Sequence, residues 1–170
     1  EDVLRVYGYN NVEIGDRLHA SLQYKSACDD ADSTRRLVSE QLTALGFNEI
    51  LNNSLTADGY YTDLQCYPAD HCVKLLNPLS TDLDVLRQTL LFGGLESVAH
   101  NINRRSADLA FYEFGNVYYF NPAAESTAEA PLAPFSEKAR MALWLTGNLR
   151  GAHWARQAEK ATYFDLKATV

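Results

Sequence analysis

The chain has 170 residues, 46% hydrophobic and 22% charged, with 15 basic against 22 acidic side chains and a net charge of −7. That length accommodates one domain with a full core. The acidic balance argues against a broad phosphate-binding face, which needs clustered Lys and Arg, and leaves room only for a local contact with nucleic acid.

No apolar run approaches the roughly 20 residues needed to span a bilayer, so no membrane partner is expected. The acidic, polar start Glu1-Asp2-Val3-Leu4 does not read as a secretory leader. The chain does not begin with Met and its one Met is Met141, so it is expected to be a piece of a longer polypeptide. Cys28, Cys66 and Cys72 are odd in number and form no C-x-x-C, which predicts free thiols in a reducing compartment rather than disulfides or a zinc site.

Residues 1–30 read as a connector. Val3 to Tyr7 begins like the end of a helix, stopped by Gly8, and Glu13 to Gln23 shows no sustained period. The first clear helix is predicted over Ser33 to Leu45, with Leu37, Val38, Gln41, Leu42 and Leu45 on one face. Asp32 or Ser33 can cap its start and Gly46 can end it. Phe47 to Leu55 fits a strand centred on Ile50 and Leu51. Ala57 to Asp70 is a polar excursion. Cys72 to Leu76 is a short strand stopped by Asn77-Pro78.

A second helix is predicted over Leu91 to Arg104, with Leu91, Leu95, Val98, Ala99 and Ile102 as its apolar stripe. Arg104 and Arg105 stand where positive charge suits the helix dipole. Leu109 to Phe120 is apolar on both faces except at Glu113 and Asn116, the pattern of a strand covered on both sides. Asn121 to Ser136, with Pro122, Pro131 and Pro134, is a loop. Ala139 to Thr146 is another strand, ended by Gly147 and antiparallel to the previous one. The sum is an α+β fold with a mainly antiparallel sheet flanked by helices.

The ordered set Asn77-Pro78-Leu79-Ser80, Leu86-Arg87-Gln88-Thr89-Leu90-Leu91, Gly94-Leu95-Glu96, Asn101 to Arg105 and Phe111 to Phe120 resembles the first half of a class II aminoacyl-tRNA synthetase core. Its wording is closest to phenylalanyl-tRNA synthetase β subunits. Arg5-Val6-Tyr7-Gly8-Tyr9 and Tyr163-Phe164-Asp165-Leu166-Lys167 also look like family segments. The resemblance implies an incomplete class II-like core over 31–170, cut short at its C-terminus, behind a 1–30 connector from the preceding small domain. It also implies cytoplasmic location.

In class II enzymes the strand run like Phe114-Gly115-Asn116-Val117-Tyr118 is followed by an Arg. Its guanidinium stabilises charge at the α-phosphate of ATP during amino-acid activation. On that pattern Tyr119 stands where the Arg would be, and no Arg or Lys occurs between Arg105 and Lys138. No catalytic residue and no cofactor-binding residue is therefore assigned. The resemblance implies a non-catalytic domain that supports an α subunit in a two-plus-two heterotetramer. There the partner uses ATP to attach phenylalanine to tRNA(Phe). It further implies a magnesium site to which Glu1 and Asp2 contribute, with other acids upstream. Two carboxylates alone make a poor site for a hard cation.

Two other readings stay open on the residues: a catalytically active class II synthetase domain with a substitute for the missing Arg, and a regulatory module of the same fold that binds a small molecule. His19, His71, His100 and His153 show no metal-ligand spacing and read as structural or surface residues. Gly93-Gly94 suits a close helix approach better than a phosphate cradle. Arg87, inside an apolar run, needs a partner; it either crosses an interface or pairs with an acid such as Glu113. The aromatic run Phe111 to Phe120 could stack bases, but without flanking basic residues it reads as core.

Overall fold

The computed structural model describes residues 1–13, 30–78 and 80–169. The chain divides into two compact units, Glu1–Ser33 and Thr34–Val170. His19, Cys28, Leu79 and the stretch after Glu13 lie outside the described residues.

In the first unit, helix α1 spans Asp2–Tyr7. It stops where the sequence places a stop: Gly8 has φ 90° and its N–H bonds back to Leu4 O, a left-handed conformation that glycine adopts without Cβ strain. A 3-10 turn, Tyr9–Asn11, follows.

Helix α2 spans Ala31–Ala44. Its cap is neither Asp32 nor Ser33 but Asp30, whose Oδ1 accepts from the N–H groups of Asp32 at 3.1 Å and Ser33 at 3.0 Å. Gly46, at φ 90°, ends it as expected. Its apolar face is narrower than the pattern suggests: Leu42 is buried and Val38 packs beside it, while Leu37 and Leu45 are exposed.

The second unit is organised around one long antiparallel hairpin. Strand β5 (Leu109–Phe120) pairs with β6 (Phe135–Thr146) from Leu109↔Thr146 to Phe120↔Phe135. A short strand β1 (Asn48–Glu49) adds to β5 in parallel, giving the order β1-β5-β6. The predicted strand over Phe47 to Leu55 is thus two residues long. The N–H of Ile50 still reaches Tyr112 O, but Leu51 is exposed and Asn52 turns into the core to meet Glu113.

A smaller antiparallel sheet has β4 (Val85–Leu86) between β2 (Leu55–Thr56) and β3 (Val73–Lys74). A hairpin of β7 (Asn148–Arg150) and β8 (Glu159–Lys160) leads to helix α4 (Tyr163–Thr169).

Alternation along β5 and β6 divides the core. Leu109, Phe111, Val117 and Trp144 pack with Leu90 and Val98 on one face. Tyr112, Ala110, Phe114, Leu143 and Leu145 pack with Leu42, Phe47 and Leu166 on the other. Strand β5 is covered on both sides, as its composition predicts, whereas Phe135 to Met141 at the start of β6 are exposed.

Helix α3 (Leu91–Asn103) lies on the first face. Its buried residues are Gly94 and Val98, so of the predicted stripe Leu91, Leu95, Val98, Ala99 and Ile102 only Val98 faces the core. A Cβ at Gly94 would overlap the Trp144 ring. The glycine lets the helix settle on the indole, and that rolls Leu91, Leu95 and Ile102 outward, where each is 44–47% exposed.

A third cluster, Tyr61, Cys72 and Val85, lies under the small sheet. Tyr61 Oη accepts from the backbone N–H of Gln88 at 3.1 Å. Burial, only partly opposed by that hydrogen bond, pushes its hydroxyl up from 10.0 to about 12. The folded state therefore prefers the neutral phenol. This contribution is complete below pH 10 and is lost as pH rises towards 12. Urea titrations across pH 9–12 should show stability falling over that window, with a shallower fall in Tyr61→Phe. An identical slope in both proteins would exclude Tyr61 as the cause.

Candidate functional site

On the face of the hairpin towards α3, side chains of Glu113, Gly115, Val117 and Tyr119 stand opposite those of Ala142, Arg140, Lys138 and Ser136. Tyr119 is the residue that the sequence resemblance sets where class II enzymes carry an arginine. Its hydroxyl donates to Gln88 O at 3.1 Å, so the ring is tied to the segment leading into α3. Positive charge enters this face from β6 instead, through Lys138 and Arg140. Register alone brings Arg140 beside Gly115. Nothing in the linear sequence marks that neighbour, because the two residues are separated by the whole hairpin loop.

Beneath this face lies a buried ion pair. Arg87 Nη1 is 2.7 Å from Glu113 Oε1, with Arg87 5% and Glu113 0% exposed. Of the two partners open to Arg87, an interface or an internal acid, the fold supplies the internal acid.

The pair is completed by hydrogen bonds. Arg87 Nε donates to Asn116 O at 2.9 Å, and Nη1 reaches Asn52 O and Asn53 O, each at 3.4 Å. Glu113 accepts from Asn52 Nδ2 at 2.7 Å and from Asn52 N at 3.3 Å. Ser97 Oγ on α3 donates to Asn52 Oδ1 at 2.7 Å. Gly115 provides the passage: a Cβ there would overlap the Arg87 guanidinium. Arg87 is thereby engaged inside the protein and is not offered to a phosphate.

Glu1 and Asp2, the two predicted metal ligands, sit at the start of α1. Both are exposed, and both meet Arg5: Nη2 to Glu1 Oε1 at 3.2 Å and Nη1 to Asp2 Oδ1 at 3.8 Å. Among the described residues no group of three or more His, Cys, Asp or Glu side chains could hold a metal ion. Two carboxylates sharing one guanidinium suit a fraction of a hard-cation site, not a whole one. Cys66 is exposed and free, and Cys72 is buried and free. Burial pushes the Cys72 thiol up, so it stays protonated near neutrality.

Breaking a buried pair leaves an uncompensated charge and costs about 3–5 kcal/mol, whereas replacing both partners with apolar groups can be close to neutral. Arg87→Met alone and Glu113→Leu alone should each lower the unfolding free energy by about that amount. The double variant should recover part of the loss. Additive losses in a double-mutant cycle would show that the two residues act independently.

The family model described as "Phenylalanyl tRNA synthetase beta chain CLM domain" matches residues 16–170. The phenylalanine–tRNA ligase beta subunit of Bacteroides fragilis is 54% identical over all 170 residues, and that of Porphyromonas gingivalis is 45% identical over the same length. The chain spans about a fifth of the length of these curated relatives, 21% in each case. A solved structure from Bacillus halodurans C, titled as an ATP phosphoribosyltransferase regulatory subunit/histidyl-tRNA synthetase, aligns with 71% of this chain and 31% of its own. Its identity is 17% and its TM-score 0.40, a likeness too slight to bear on fold or function. With a family model covering most of its length and close relatives covering all of it, the chain belongs to the phenylalanyl-tRNA synthetase β-chain family and carries its CLM domain.

Proposed function

We propose that this chain is a non-catalytic, class II synthetase-like domain of a phenylalanyl-tRNA synthetase β subunit. It supports an α subunit that attaches phenylalanine to tRNA(Phe) at the expense of ATP. The observation that carries the reading is the state of Tyr119. A phenol bonded to Gln88 O stands where activation chemistry needs a guanidinium. The arginine beneath that face, Arg87, has its charge neutralised by Glu113. A transition state that builds charge at a phosphate finds no preorganised cation on β5.

The supporting role rests on α3. Leu91, Leu95, Ala99 and Ile102 fall on the exposed side of that helix. A clustered apolar face of this kind suits burial against a partner. In the proposed two-plus-two heterotetramer the α subunit covers it. Glu1 and Asp2 then join acids from elsewhere in the β chain around Mg²⁺. ATP is bound by the partner, and the complex works in the cytoplasm. No helix among the described residues is long and apolar enough to cross a membrane.

Phenylalanine-dependent ATP–pyrophosphate exchange measured with this chain in the absence of α subunit should stay at background. Exchange above background would overturn the non-catalytic reading. Leu95→Asp in the intact β chain should weaken assembly with α subunit at least tenfold by analytical ultracentrifugation while leaving the circular dichroism spectrum of β unchanged. Undiminished heterotetramer would remove α3 from the interface.

A further inference from the structure

The hairpin of β7 and β8 carries an indole that the core does not use. Its strands pair at Asn148↔Lys160 and Arg150↔Glu159, with an irregularity between. Beyond them His153 and Arg156 close a two-residue turn, each backbone N–H donating to the other's carbonyl oxygen at 2.9 Å. Trp154 and Ala155 are the two residues of that turn. Trp154 is 92% exposed, whereas Trp144 in the core is 7% exposed. Every residue from Leu149 to Lys160 is exposed. Among the described aromatic rings the Trp154 indole meets only the His153 imidazole, at 5.5 Å between centroids. Burying a large ring such as Trp is strongly favourable, so one left wholly in water marks a place where something else can cover it.

The charge around the ring says what that is. The chain as a whole has a net charge of −7, yet no acid occurs between Gly151 and Ala158. Arg150, Arg156 and Lys160 stand on the hairpin, and none of them forms a salt bridge among the described residues. Glu159 lies across the ladder from Arg150, not from Arg156, whose partner across the turn is His153. The other nearby acid, Asp165, is engaged by Thr162: hydrogen bonds from that residue hold its carboxyl below the usual range, with a lesser contribution from Arg150. A protein interface needs roughly 800 Å² on each partner, with an apolar centre. Gly151, Ala152, Ala155 and Ala158 around the indole are too small to build one. A bare ring beside an unpaired guanidinium suits a nucleotide instead: the base stacks on the ring and the phosphate meets the cation.

We propose that the turn of the β7–β8 hairpin docks on an unpaired nucleotide of tRNA, its base stacked on Trp154 and its phosphate held by Arg156. Arg150 and Lys160 add attraction along the hairpin. No bond is made or broken. One exposed ring and one or two cations make a local contact, which is all that an acidic chain leaves room for. The inference rests on the reading that this chain works in a complex that handles tRNA(Phe), and adds to it the place where this domain touches the RNA. It is independent of the α3 interface and of the missing guanidinium on β5.

The test is fluorescence anisotropy of a labelled tRNA(Phe) transcript titrated with the assembled complex of intact β chain and α subunit, over a series of salt concentrations. Each variant is first sedimented to establish that it assembles. Trp154→Ala should weaken binding roughly 5- to 150-fold, the equivalent of the about 1–3 kcal/mol that one stacked base is worth. Trp154→Phe, which keeps a ring, should recover most of that loss. Arg156→Gln should weaken binding severalfold and lower the slope of log K against log salt by about 0.7–1, the share of one phosphate contact. Equal affinity in wild type and Trp154→Ala would overturn the proposal and leave the supporting role standing. Failure of Trp154→Ala to assemble would make the turn a protein contact and overturn it as well. A wild-type complex that neither binds nor charges tRNA(Phe) would overturn both the proposal and the reading beneath it.

Discussion

The contact between Arg87 and Glu113 joins parts of the chain that otherwise have little reason to meet. Glu113 sits in the middle of the longest strand, Arg87 follows the small sheet, and Asn52 comes from the turn after β1. Ser97 ties the same network to α3. A full charge placed in a core is costly unless it is paired and its remaining hydrogen-bonding capacity is met. That cost makes the arrangement selective. Register slips along β5, or a different path for residues 52–54, would strand the carboxylate. The network thus contributes more to choosing one packing than to net stability, since an apolar replacement of the whole pair could be equally stable.

Two glycines set the distances around this centre. Gly115 keeps the strand bare so that a guanidinium can cross it, and Gly94 lets α3 rest on Trp144. Each removes a Cβ where another residue's side chain already occupies the space. The same close approach turns the apolar stripe of α3 outward. The surface proposed to meet a partner and the bare spot in the helix are therefore two consequences of one packing choice. On the proposed non-catalytic reading the ion pair also has a functional side. By engaging Arg87 internally, it removes from the hairpin face a cation that a phosphate could have used. Tyr119, held by Gln88 O, fills the remaining position.

Features that depend on local chemistry were legible in the residues. Gly8 and Gly46 end helices because they take positive φ at low cost. The run from Leu109 to Phe120 reads as a strand covered on both faces, and the Pro-rich stretch after it as the hairpin loop; pairing shortens that loop, because β6 begins at Phe135 opposite Phe120, four residues before the predicted strand start at Ala139. Arg87 announced that it needed an acid, and Glu113 was the nearest candidate within an apolar strand. The readings that did not survive concern choices between near-equivalent local options. Asp30 caps α2 in place of Asp32 or Ser33 because its oxygen reaches two free N–H groups at once. The strand over 47–55 shrinks to two residues because Asn52 bonds to Glu113 rather than continuing the ladder. Of the candidate site, Tyr119 was visible in the sequence. Arg140 was not, since its place opposite Gly115 is set by strand pairing across the hairpin.

By itself, then, the sequence determined the kinds and order of elements, the stops between them, the absence of a basic residue on β5 and the family resemblance. All of these follow from short-range preferences or from residue identity. Tertiary structure alone decided which side of α3 is buried, which acid neutralises Arg87, and that Gln88 Oε1 is buried with no hydrogen-bond partner among the described residues. Those outcomes depend on steric exclusion and desolvation between segments tens of residues apart. A helical stripe records that one face is apolar. It does not record that a glycine on the neighbouring face will let an indole come closer.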